Sequence, residues 1–138
     1  MSLFSPREAN ALIAKIEPLV EELLRLRREL AINLLATNPE LRVGRSRSRL
    51  AGPHSTLPTP RFGEMKIEII RLIHRIEHFG CVVKDIDLGL IDFPSERNGE
   101  SIWLCWKFGE PVVAHWHGEH EGFERRRPLS EARPGEEP

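Results

Sequence analysis

The sequence predicts an α+β fold: an N-terminal helical hairpin, one long helix plus a shorter one, packed on a C-terminal antiparallel β-meander of three to four strands. Three observations carry this. Apolar residues recur in steps of three and four as far as Phe79, and after Gly80 they gather instead into short β-branched and aromatic runs. Between two of those runs stands Asn98-Gly99, the strongest short hairpin signal in the chain. With 138 residues, 40% hydrophobic and 30% charged, the chain has material for one core and a composition unlike that of disordered proteins. A formal net charge of −1 argues against a protein built wholly to bind nucleic acid.

The first helix is expected over residues 5–37. Ser5 can cap it, Pro6 suits the first helical position, and Glu8 lies where it can close a capping box. Ala9, Leu12, Ile16, Leu19, Leu23, Leu26 and Leu30 then form an a/d seam, which Ile13, Val20 and Leu24 widen. Pro18 lies inside this pattern; the seam stays in phase across it, which predicts one kinked helix rather than two. Asn38-Pro39 ends the helix.

Residues 39–62 read as a basic loop: Gly and Pro punctuate it, and after Glu40 it carries Arg42, Arg45, Arg47, Arg49 and Arg61 without an acidic residue. Arg45, Arg47 and Arg49 suit phosphate contact, but no aromatic residue is interleaved to stack a base, which favours a solvated loop. A second helix is expected over 63–79, where Phe62, Met65, Ile69, Leu72, Ile76 and Phe79 keep the three-four step and Gly80 offers a left-handed C-cap. The two apolar faces would bury each other as a hairpin. The longer first helix would need further cover, from the sheet or from a second copy of the chain.

Strands are expected within 81–117, at Cys81 to Val83, Leu88 to Phe93, Ile102 to Phe108 and Val112 to Trp116. A two-residue turn at Asn98-Gly99 puts Asp92 opposite Cys105. A second at Gly109-Glu110 puts Cys105 opposite Ala114 and Leu104 opposite His115. On that register His115 and His117 share the apolar face, while Asp92, Trp103, Cys105, Lys107, Ala114 and Trp116 share the other. One domain would thus span 1–128, with 129–138 a flexible tail.

Several side chains carry chemistry. His115, His117 and His120 are spaced so that two point the same way on a strand and the third can complete a facial set for Zn²⁺ or Fe²⁺. A histidine on an apolar face is more often a hydrogen-bonded core residue, and the expectation is no bound cofactor. Asp85, Asp87 and Asp92 bring three carboxylates close enough for acid/base work or for guarding a sheet edge. Cys105, between Trp103 and Trp106, reads as a nucleophile only if a histidine reaches it, and otherwise as a buried thiol. Arg125, Arg126 and Arg127 beside Phe123 can hold an anion or pair with Asp85, Asp87 or Glu110.

Together these residues resemble those of the prokaryotic domain-of-unknown-function family 2203 (DUF2203). The likeness is carried by Phe4 to Asn10, by Gly80-Cys81 and Lys84-Asp85 through Gly89 to Phe93, and by Leu104 to Trp106 with Gly109-Glu110. Trp116-His117, Gly122-Phe123, Arg126 and Pro128 complete it. The resemblance implies a bacterial or archaeal protein and points to Lys84, Asp85, Asp92, Cys105, Trp106, Glu110, Trp116, His117 and Arg126 as the functional cluster. His115 and His120 lie outside that pattern. No activity, substrate, cofactor or partner comes with it.

The expectation is a cytoplasmic protein with reduced Cys81 and Cys105, since no apolar run approaches a membrane span and no leader is evident. Its function is expected to be that of a non-enzymatic binding or adaptor module with a polar site on the meander. That site would take a small anionic ligand or a protein, and the chain would dimerise through the first helix. A small metal-dependent or acid/base hydrolase using Asp92, Cys105, Glu110 and His117 is the alternative, so whether it is an enzyme stays open. RNA or ribosome association through the Arg-rich loop ranks third.

Overall fold

The computed structural model describes residues 3–37 and 60–131. Among the described residues two α-helices precede one five-stranded antiparallel sheet, so the fold is α+β. Helix α1 runs from Pro6–Thr37 as a single element with Pro18 inside it. Its capping box is formed: Glu8 N donates to Ser5 Oγ at 3.1 Å, and Ser5 N donates to Glu8 Oε1 at 2.8 Å. The buried stripe is Ala9, Ile13, Ile16, Val20, Leu23 and Leu26, while Leu12, Leu19 and Leu30 are only partly buried. Ala9, Ile16, Leu23 and Leu26 of the expected seam are thus buried, and Ile13 and Val20, expected to widen it, are more deeply buried than Leu12 and Leu19. The sheet as well as the second helix draws on this face.

Helix α2 spans Pro60–Glu77, beginning three residues earlier than the sequence pattern suggested. Proline lacks the N–H that a first helical turn leaves unpaired anyway, so Pro60 starts the helix instead of punctuating the loop. Met65, Ile69, Leu72 and Ile76 face the core. The helices run antiparallel. Arg61 pairs with Glu29 at 2.8 Å at one end, and His74, Arg75, His78 and Phe79 share a groove with Lys15 and Leu19 at the other. In the single chain Ile32 is 67% exposed and Leu35 36%, the end of α1 expected to meet a second copy.

Gly80 takes φ +105° after α2, and a Cβ there would come within 3.0 Å of the Phe4 ring. Glycine is thus needed both for its conformation and for its missing side chain. The segment before α1 is laced to the sheet: Phe4 N donates to Pro94 O at 2.8 Å, and Ser95 Oγ donates to Phe4 O at 2.6 Å.

The strands are β1 (Val82–Asp85), β2 (Leu90–Arg97), β3 (Glu100–Lys107), β4 (His115–Gly118) and β5 (Arg127–Pro128), in spatial order β1-β2-β3-β4-β5. Asn98 and Gly99 both have positive φ, +53° and +80°, as a type I′ turn requires, and Asp92 pairs with Cys105 as expected. The fifth strand was not foreseen. Leu129, assigned to a flexible tail, is instead buried in the core, with its N–H donating to Ala114 O at 2.8 Å.

The second turn departs from expectation in a consequential way. Glu110 N does donate to Lys107 O at 2.9 Å, but Pro111 follows and has no N–H to continue the ladder. Val113 N then turns away to Asn10 Oδ1 of α1, at 2.7 Å. Pairing resumes only at His115, opposite Cys105, with Trp116 opposite Leu104 and His117 opposite Trp103. That one-residue slip moves every β4 side chain to the other face. The inner face thus holds Ile91, Phe93, Ile102, Leu104, Trp106 and Trp116 against the helices, and His115 and His117 join Asp92 and Cys105 outside.

No helix among the described residues is long and apolar enough to cross a membrane. Arg45, Arg47 and Arg49 lie outside the described residues.

A candidate polar site on the outer face of the sheet

Three adjacent strands each contribute one polar side chain to a single spot. Asp92 from β2 and Cys105 from β3 are direct cross-strand partners, and His117 from β4 sits one diagonal step away. Their ligand-capable atoms all lie within 4.8 Å of one another, and the residues are only 2%, 1% and 3% exposed. His117 Nε2 meets Asp92 Oδ2 at 2.8 Å, and its Nδ1 lies 3.0 Å from Gly118 O.

A carbonyl accepts only, so Nδ1 carries the proton that it gives to Gly118 O. Nε2 and Asp92 Oδ2 then share a second proton between them. Burial pushes the Asp92 carboxyl above its usual range, against the opposing pull of His117 and Cys105. Burial likewise raises the Cys105 thiol, with the neighbouring Asp92 carboxylate adding to it. Asp92 Oδ1 is buried without a hydrogen-bond partner among the described residues, although the Cys105 thiol lies beside that carboxylate. An orphaned buried carboxylate oxygen is costly, and its residue lines an open space.

That space is a cleft of about 420 Å³ with Asp92, Cys105 and His117 at its base. One wall is the β1–β2 turn with Lys84, Asp85, Leu88 and Leu90, and the other is the 121–124 segment with Phe123. Two of the three wall carboxylates, Asp85 and Glu121, are engaged, while Glu124 has no hydrogen bond or ion pair among the described residues. Asp85 Oδ1 accepts the N–H groups of Asp87 and Leu88 at 2.8 and 3.0 Å, while Glu121 accepts Gly118 N and Arg127. Lys84 lies over the Trp103 ring at 4.2 Å with no carboxylate in ion-pair reach among the described residues.

A second cluster adjoins the first. Arg126, its side chain 9% exposed, donates from Nη2 to Glu110 Oε2 and to His115 Nδ1, while Glu110 Oε1 accepts Lys107 N at 2.8 Å. The Phe123 ring caps it, 4.7 Å from the Arg126 guanidinium and 5.9 Å from the Lys107 ammonium. Arg126 is thus pinned between a carboxylate and an imidazole, and it braces β4 against the loop after β3.

Of the residues singled out in the sequence, Lys84, Asp85, Asp92, Cys105 and His117 line one cleft, with Glu110 and Arg126 next to it. Trp106 and Trp116 are elsewhere. Trp106 is fully buried on the inner face with Nε1 donating to Glu110 O, and Trp116 is flanked by Arg97 and Arg127. The three histidines do not converge. After β4 the chain turns, with Glu121 N bonded to Gly118 O, which leaves the His120 side chain 93% exposed beside Glu119. His115 is engaged by Arg126. Among the described residues the group whose ligand atoms lie close enough to hold a metal ion is Asp92, Cys105 and His117. Sequence reasoning missed Phe123, Leu88 and Leu90 as cleft walls; the one usable signal was an aromatic isolated among charges after Gly118 and Gly122.

Residues 2–129 match the model of a family described as "Uncharacterized conserved protein (DUF2203)". No curated protein and no solved structure matches the chain.

Proposed function

The chain belongs to the DUF2203 family, and we propose that it is a non-enzymatic binding module whose working part is the cleft above Asp92, Cys105 and His117. The observation that supports this is a buried, under-satisfied polar floor beneath an open cleft. Packing alone has no use for such a group, because an apolar side chain there would avoid the desolvation cost. The rim offers the Lys84 ammonium, the flanks are Leu88, Leu90 and Phe123, and the floor presents the Asp92 acceptor. The matching ligand is small, anionic at one end and electropositive where it meets the floor.

A thermal-shift screen of small carboxylates and phosphates, run on the parent, Lys84→Ala and Phe123→Ala, tests this. Compounds that raise the melting temperature of the parent should do so less in both variants. Losing one charge-assisted contact weakens binding by roughly 1.5–3 kcal/mol. Shifts that persist in both variants, or a parent that responds to none of the panel, count against the cleft.

A hydrolytic role through Asp92 and His117 is the second reading, supported by the raised Asp92 carboxyl. A cysteine nucleophile has less support. Both His117 nitrogens are engaged by other groups, and Cys105 sits beside an acid rather than a base.

A further inference from the structure

We propose that the floor of the cleft is a mononuclear transition-metal site, with Asp92, Cys105 and His117 binding one Zn²⁺-like cation and leaving its fourth position open to the cleft. This rests on the reading of the cleft as a binding site and names the electropositive element at its base.

Four features of the geometry point this way. The three donor atoms lie within 4.8 Å of one another. A tetrahedral Zn²⁺ with bonds of about 2.0–2.3 Å holds its donors roughly 3.3–3.6 Å apart. A pair at the outer limit therefore closes by about 1.2–1.5 Å, shared between two side chains, and the Nε2–Oδ2 pair at 2.8 Å opens by about half an ångström. The histidine is already oriented: Nδ1–H is committed to Gly118 O at 3.0 Å, so Nε2 is the nitrogen turned to the other two donors. A ring N–H anchored on a carbonyl is how metal-bound imidazoles are held. Next, Asp92 Oδ1 is buried without a hydrogen bond, an acceptor made and left unused. Finally, the donors project from three neighbouring strands rather than from a loop, which makes the set rigid.

The charge balance closes as well. Binding M²⁺ releases the Cys105 thiol proton and the one proton shared by Asp92 and His117. Thiolate and carboxylate then neutralise the dication, so the buried site carries no net charge. A thiolate, an imidazole and one carboxylate suit Zn²⁺, Co²⁺ or Fe²⁺ rather than Mg²⁺ or Ca²⁺, which take oxygen ligands. The open position faces Lys84 and Phe123, where a small anion can complete the coordination.

The test uses the untagged full chain, stripped with chelator and titrated with Zn²⁺ and with Co²⁺. The expected results are one equivalent bound and a Co²⁺ spectrum with tetrahedral d–d bands and a thiolate-to-cobalt charge-transfer band. Cys105→Ser should abolish that band. His117→Gln should weaken Zn²⁺ by more than the ~10–100-fold that outer partners of a metal site command. His120→Ala should leave both readouts unchanged. Circular dichroism of each apo variant separates lost ligation from lost fold. If Cys105→Ser is folded and keeps the band, or if the parent binds no stoichiometric metal, the proposal is overturned. Anion binding in the cleft of a parent that takes up no stoichiometric metal would overturn the metal while leaving the binding module intact.

Discussion

His117→Leu in the metal-free protein should be among the most destabilising single substitutions in the sheet, and adding Asp92→Val should recover much of the loss. Both partners are essentially dry, 3% and 2% exposed, and their contact is a 2.8 Å bond between Nε2 and Oδ2. Removing the imidazole leaves a buried acid whose other oxygen already lacks a partner. Breaking such a pair costs about 3–5 kcal/mol, whereas replacing both members with apolar side chains is often neutral or better. Against a total stability of roughly 5–15 kcal/mol that is a large share. It corresponds to a fall in melting temperature on the order of 10–25 °C at this chain length. Urea titrations in chelator at neutral pH, on the parent, both single variants and the double variant, give the coupling directly. If His117→Leu stays within about 1 kcal/mol of the parent, or the double variant is no more stable than that single variant, the pair is not the buried, mutually dependent element described above.

Two further outcomes follow from particular contacts. The Cys81 thiol, with Sγ 3.3 Å from Ile76 O, is pushed by burial from an ordinary 9.0 to about 12. The folded state therefore holds that proton longer than the unfolded chain. Its contribution is complete below 9.0 and is lost as pH rises from there towards about 12. Parent stability should fall faster than that of Cys81→Ala above pH ~9, by up to about 1.4 kcal/mol per pH unit; parallel urea-midpoint profiles would refute this. Asn10→Ala removes the acceptor of the buried Val113 N–H, at about 1–3 kcal/mol, while Asn10→Asp retains it. Hydrogen exchange should show the Val113 amide losing protection in Asn10→Ala alone, and protection unchanged in that variant would mean that another group takes the bond.

Much of the architecture was legible because it is set by near neighbours. Ser5 and Glu8 cap a helix within one turn, Gly80 ends the second helix through its own φ, and Asn98-Gly99 imposes a type I′ turn on the strands beside it. These signals are complete within a few residues, so reading along the chain recovers them. The pairing of Asp92 with Cys105 follows from that turn alone. The start of α2 at Pro60 and the short strand Arg127–Pro128 were harder. A proline fits both a loop and a first helical turn, and a two-residue strand has no period to detect.

The candidate site divides along the same line. Composition and local pattern alone were enough to mark Asp92, Cys105 and His117 as chemically unusual, and to place the first two on one face. Only the tertiary structure decided that His117 joins them. Its side is set by a register that depends on Pro111, which cannot donate, and on a bond from Val113 to Asn10, 103 residues away in the chain. In a strand the side-chain period is two, so a single residue taken up by that contact carries His117 from the core to the cleft. The same holds for Phe123, which becomes a wall only because the chain after β4 folds back over the sheet. Local chemistry is written in sequence neighbours, but the meeting of side chains from different strands is settled by contacts that sequence distance hides.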